Sequence, residues 1–235
     1  MLAAAFAVVS AAAPLSVEAQ TIGTAAIPSG FGLYGGVMAL SASVSYAERE
    51  RTGPNPTHWD ASVAASAGFG NPVSGLGVDF GVNITSTRNF GESGYLSLGT
   101  SRLFQVSEGV VGGVALRADY LAPWGDISAV DPTYSLVSSF LGASGGTPYM
   151  VSVGIGTGWN QNATARDVRG AIGFGMNVAP DWAVSVGYVG EESIIGAVWE
   201  PGFLQSTSVA FSVRNLEGDN TVVGIDVGRA FSLMR

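Results

Sequence analysis

Apolar residues alternate with small or polar ones through most of this chain, and the alternation has a period of two. From Tyr149 to Trp159 the odd positions carry Tyr149, Val151, Val153, Ile155, Thr157 and Trp159, with Met150, Ser152, Gly154, Gly156 and Gly158 between them. A period of two predicts a strand with two unlike faces, here an apolar face closed by an aromatic at each end. At about 3.3 Å per residue and a tilt of about 40°, such ends stand about 25 Å apart along a barrel axis, the height of the apolar band of a membrane barrel. Tyr34 with Tyr46 and Trp59 with Phe69 repeat the arrangement, and Trp182 and Tyr188 share a face of a further strand. These eight, Tyr34, Tyr46, Trp59, Phe69, Tyr149, Trp159, Trp182 and Tyr188, are the expected aromatic girdle.

Other segments follow the same rule. A first strand from about Phe31 to Tyr46 sets Met38, Leu40 and Val44 against Ser41, Ser43 and Ser45. One from Val110 sets Leu116 and Tyr120 outward, and the last sets Val223, Ile225, Val227 and Phe231 outward. Three segments are less regular. The alternation of Gly94 to Phe104 carries Arg102 onto the apolar face, which requires a snorkelling side chain or a bulge. Thr133 to Leu141 is mixed on both faces, and Ser193 to Trp199 reads either as a strand or as part of a long loop. With that segment counted there are about twelve strands, and single-chain bacterial barrels usually have an even number. The expected fold is all-β: an antiparallel, up-and-down transmembrane β-barrel over residues 31–235, with twelve strands and with ten or fourteen as alternatives. Breakers at Asn71-Pro72, Gly145-Gly146, Pro180-Asp181 and Pro201-Gly202 mark short turns at one end, while longer loops such as the charged 47–57 mark the other.

Composition sharpens this picture. Only 12% of residues are charged, yet beyond the N-terminus no apolar run reaches the length of a membrane helix. A net charge of -8 offers no basic patch for nucleic acid, and the absence of cysteine excludes a disulfide framework or thiolate site. The apolar stretch Met1 to Ala13, followed by Val17-Glu18-Ala19, reads as a signal peptide over 1–19 cleaved after Ala19. No Lys or Arg precedes that stretch, so the sequence is expected to be truncated at its start. Residues 20–30 are read as a periplasmic lead-in.

Four stretches look familiar together: Gly68 to Asn83, Asn89 to Gly94, Gly113 to Asp126 and Val178 to Tyr188. They resemble bacterial outer-membrane β-barrel proteins of uncharacterised, Gly-rich, porin-like families. The resemblance covers most of residues 31–233. It implies export to the outer membrane, a surround of outer-membrane lipid, and insertion by the barrel-assembly machinery. It carries over no catalytic residue. The terminal aromatic of such barrels has its counterpart in Phe231, which is followed here by Ser-Leu-Met-Arg.

The inward faces collect the candidate site residues: Asp60, Asp79, Arg117, Asp119, Arg169 and Asp226. Charges inside a barrel either line a watery passage or form a fixed ion-pair network. Their neighbours are mostly Gly, Ala and Ser, which leave space. The expected function is therefore a narrow porin-like channel for small polar solutes or ions, with four acids against two bases weakly favouring cations or neutral solutes. A non-conducting structural or assembly barrel and a translocator domain are the alternatives. An outer-membrane lipid hydrolase is the weakest reading, because His58, Asp60 and Ser62 on one strand face stand about 7 Å apart per step, too far for a relay. No metal-ligand spacing is present, Gly154-x-Gly156-x-Gly158 lies within a strand rather than a phosphate loop, and no cofactor is expected.

Overall fold

The computed structural model describes residues 25–51, 57–85, 90–159, 167–204, 206–218 and 220–233. The expected signal peptide, 1–19, lies outside them. Six strands come first: β1 (Val37–Arg51), β2 (Thr57–Gly70), β3 (Gly77–Ile84), β4 (Gly94–Ser107), β5 (Val110–Trp124) and β6 (Thr133–Ser144). Six more follow: β7 (Thr147–Gly156), β8 (Arg169–Ala179), β9 (Trp182–Val189), β10 (Glu192–Trp199), β11 (Thr207–Arg214) and β12 (Val222–Ser232). Each pairs antiparallel with its chain neighbours, and β12 closes on β1 with Val44 opposite Ile225 and Ser43 opposite Asp226. The molecule is thus a closed, twelve-stranded, up-and-down barrel, and Ser193 to Trp199 belongs to strand β10 rather than to a loop. Closure satisfies the backbone ladder on both sides of every strand, as a hydrocarbon surround demands. Twelve strands about 4.8 Å apart and tilted by about 40° enclose a cylinder of roughly 12 Å radius.

The period of two sorts the side chains as the pattern predicts. Leu40, Val44 and Tyr46 on β1, Trp59 and Phe69 on β2, Ile172 and Phe174 on β8, and Val184 and Val186 on β9 stand exposed on the outer wall. Ser97, Ser139, Ser152, Ser185 and Ser212 are buried on the inner wall. Arg102 does lie on the outer face. The β4–β5 register is regular around it, and its guanidinium reaches 2.8 Å to the Gly75 carbonyl in the β2–β3 turn, so it snorkels to the rim.

Four places depart from the plain alternation. The first strand begins at Val37, not Phe31, because Gly36 turns the chain at φ 82 and Gly35 bonds across to the Gly70 carbonyl. Residues 25–30, within the segment read as a lead-in, lie against the inner wall, as described below. Strand β7 ends at Gly156, and Gly158 at φ 72 sends Trp159 back towards the lumen. On β5 a bulge puts Tyr120 at φ 55, where its ring stacks on the inward-facing Tyr95 at 4.1 Å instead of facing lipid.

Candidate functional site in the barrel lumen

Ahead of β1, residues Ala25 to Tyr34 form a strap along the inner wall. The Ala25 N–H donates to Ser185 Oγ at 3.1 Å, and Ala25 packs with buried Ala183 and Val198. Ile27 lies over Gly173 and Gly187. The Gly30 N–H donates to Ser139 Oγ at 2.8 Å, and Ser139 Oγ shares a 2.7 Å hydrogen bond with Ser152 Oγ. Phe31 covers Gly113, Gly32 sits against Ser101 and Asp79, and the Tyr34 backbone covers Gly68. The strap therefore runs from β9 and β10, past β6 and β5, to β3 and β2 before joining β1. Its contacts climb from the short-turn side at Gly113, the fourth residue of β5, to the loop side at Gly187, the sixth of the eight residues of β9.

Arg117 is the centre of the charged cluster. Its Nε donates to Asp119 Oδ1 at 3.2 Å, and its Nη1 stands 3.7 Å from Asp79 Oδ1. The Asp79 side chain is 7% exposed and that of Arg117 46%, so the pair joins a buried carboxylate to a guanidinium that water reaches. Two carboxylates against one guanidinium leave the cluster one negative charge in excess. Gly99, opposite Asp79 on β4, provides the room the carboxylate occupies.

A cavity of about 390 Å³ opens beside this cluster. Arg117, Asp79, Asp119, Ser135, Val137 and Trp159 form its walls, and the strap residues Ala26 to Ser29, Phe31 and Gly32 close one side. The Trp159 indole lies on Gly154 and Gly156, where a Cβ on Gly156 would come within 2.8 Å of its Cε2. Among the described residues no group of three or more His, Asp or Glu side chains is placed to hold a metal ion.

Of the six inward charges read from the pattern, the fold brings Asp79, Arg117 and Asp119 together. Arg169 lies at the start of β8 and pairs with Glu191 at 2.8 Å and Asp167 at 3.7 Å, close to the loops rather than the cavity. Asp60 accepts from the Ala61 N–H, and Asp226 faces inward on β12, within the field of Arg214. Of the aromatic residues, Tyr46 packs edge-on to Trp59, Tyr149 stacks on Phe174, Trp182 on Trp199, and Phe69 and Tyr188 are exposed. Tyr34 and Trp159 leave the girdle, because one lies ahead of β1 and the other beyond β7. His58 Nδ1 lies 2.9 Å from the Ala47 carbonyl and its ring stacks on Tyr46, while Ser62 bonds to Ser43 at 2.6 Å.

A closed antiparallel barrel with an apolar outer wall and a polar, partly filled lumen has the architecture of a transmembrane β-barrel. Among solved structures the chain is similar to the KdgM porin in complex with disordered oligogalacturonate, with a TM-score of 0.54 and 8% identity over 82% of this chain and 99% of that one. It is similar in the same degree to the COG4313 outer membrane channel from Pseudomonas putida F1, with a TM-score of 0.54 and 9% identity over 88% and 98%. Acinetobacter baumannii Omp33 matches with a TM-score of 0.50 and 9% identity over 83% and 97%. At these identities the likeness is one of fold. No family model matches the chain. Comparison of its sequence with characterised proteins gives no match.

Proposed function

We propose that the protein is a narrow outer-membrane channel that passes small polar solutes or ions between the strap and the Arg117 wall. The observation that carries this reading is the cavity of about 390 Å³ against a charged cluster inside a closed barrel. A merely structural barrel would gain nothing from holding a half-exposed guanidinium there. The excess carboxylate favours cations and neutral polyhydroxylated or zwitterionic solutes over anions. KdgM and the COG4313 protein, a porin and a channel on the same fold, support the reading. In this account the outer wall sits in outer-membrane lipid with its aromatic belts at the headgroups, and the barrel-assembly machinery inserts it. Asp60, Arg169 and Asp226 would meet the solute on the long-loop side of the central cluster.

Liposome swelling tests it. Proteoliposomes are expected to swell in a monosaccharide and to stay shrunken in a trisaccharide. Equal, protein-independent swelling in both would reject the proposal. A second reading, a closed structural barrel, is favoured by one observation: the strap buries Ala25, Ile27, Gly30 and Leu33 within the lumen. Complete exclusion of even glycerol would select that reading.

A further inference from the structure

We infer that Ala25 to Tyr34 is a seated part of the barrel that sets the size limit of its passage, an inference that rests on the channel reading. Two independent features of the wall match the strap. The first is steric. Beneath it the inward positions of four different strands are glycines, and a Cβ at Gly113 would meet the Phe31 ring at 2.7 Å, while one at Gly173 would meet Ile27 at 2.6 Å. Gly187 and Gly68 are covered by Ile27 and the Tyr34 backbone in the same way. Any larger residue would lift the strap off the wall. The second is polar. Serine hydroxyls stand where strap N–H groups need acceptors, Ser185 for Ala25 and Ser139 for Gly30. Inside a barrel an unpaired backbone N–H is costly, so a chain that merely drifted into the lumen would not find its donors met at both places.

The consequence is geometric. A wall of roughly 12 Å radius would leave a wide pore if only small side chains lined it. The strap removes a chain's width from that section, and its residues Ala26, Pro28, Ser29 and Phe31 line the same cavity as Arg117. It is thereby a size- and selectivity-determining segment, with Arg117 supplying the charge and the strap supplying the diameter.

The chain has no cysteine, so an introduced pair reads cleanly. In Ala25→Cys with Ser185→Cys, a disulfide is expected to form in the folded barrel, and the locked protein is expected to keep the parent's single-channel conductance and polyethylene-glycol cut-off. Deletion of residues 25–34 is expected to raise conductance roughly twofold or more and to admit larger polymers, in proportion to the section regained. Should the deletion fail to fold, Gly173→Leu with Gly187→Leu in the full chain displaces Ile27 and is expected to act in the same direction. Failure of the disulfide to form, or an unchanged cut-off once the strap is removed, would overturn the inference. Absence of current in every variant would defeat the channel reading instead. The strap would then be judged by maleimide labelling of Val137→Cys: faster labelling by a bulky reagent after deletion upholds it, and an unchanged rate refutes it.

Discussion

Arg117 binds two carboxylates of unlike exposure, and its loss would leave both uncompensated beside the cavity. Arg117→Gln is therefore expected to make the passage more selective for cations, raising the potassium-to-chloride permeability ratio roughly twofold or more, while Asp119→Asn lowers it. Reversal potentials across a salt gradient measure both. Trp159 depends on a different kind of neighbour. Its indole occupies the space that Gly154 and Gly156 leave on the inner face of β7, and a Cβ at Gly156 would lie 2.8–3.0 Å from that ring and from Ser135. Gly156→Val is expected to destabilise the barrel by about 1–3 kcal/mol in urea unfolding, the usual cost of overpacking. Gly170→Val, where a Cβ meets nothing within 4 Å, is the control expected to cost close to nothing.

At the scale of the element, the strap and the strands differ in what holds them. Strands are held by ladders on both sides, the strap by a few side-chain acceptors and by glycine-lined space. Ser139→Ala removes the acceptor of the Gly30 N–H and the partner of Ser152 at once. A loss of about 1.4 kcal/mol is expected, about tenfold in the opening equilibrium of the strap. Hydrogen exchange of residues 25–34 would show it, with the amides of β1 unaffected. This contrast also explains what was legible in the sequence. Each strand announces itself locally, because lipid on one face and lumen on the other impose a period of two on consecutive residues. Leu40, Val44 and Tyr46 could be assigned to one wall on that ground alone. The strap has no such period. Phe31, Leu33 and the glycines around them imitate the start of a strand, and only the turn at Gly36 shows otherwise. Its fit to Gly113, Gly173 and Gly187 is a match between positions far apart in the chain, which no local pattern records. Trp159 was misplaced for a related reason: it is in phase with Tyr149, but Gly158 breaks the strand between them. Of the charged residues, the i, i+2 spacing of Arg117 and Asp119 was readable, whereas the approach of Asp79 from β3 depends on β4 lying between them with Gly99 at the crossing.

For the molecule as a whole, the outer wall, the lumen and the strap tell one story. Closure by β12 on β1 removes every sheet edge, and the exposed aliphatic band fits a hydrocarbon surround. The inner wall carries charge that a packed core would not keep, and the strap narrows a cylinder that would otherwise be wide. On the function proposed above, these features make the purified barrel a small, mildly cation-preferring pore. Single-channel recording in a planar lipid bilayer examines that claim most directly. The account expects small, stepwise, ohmic conductance with a reversal potential on the cation side of zero in a potassium chloride gradient. A refolded barrel that inserts into the bilayer and passes no current would contradict it.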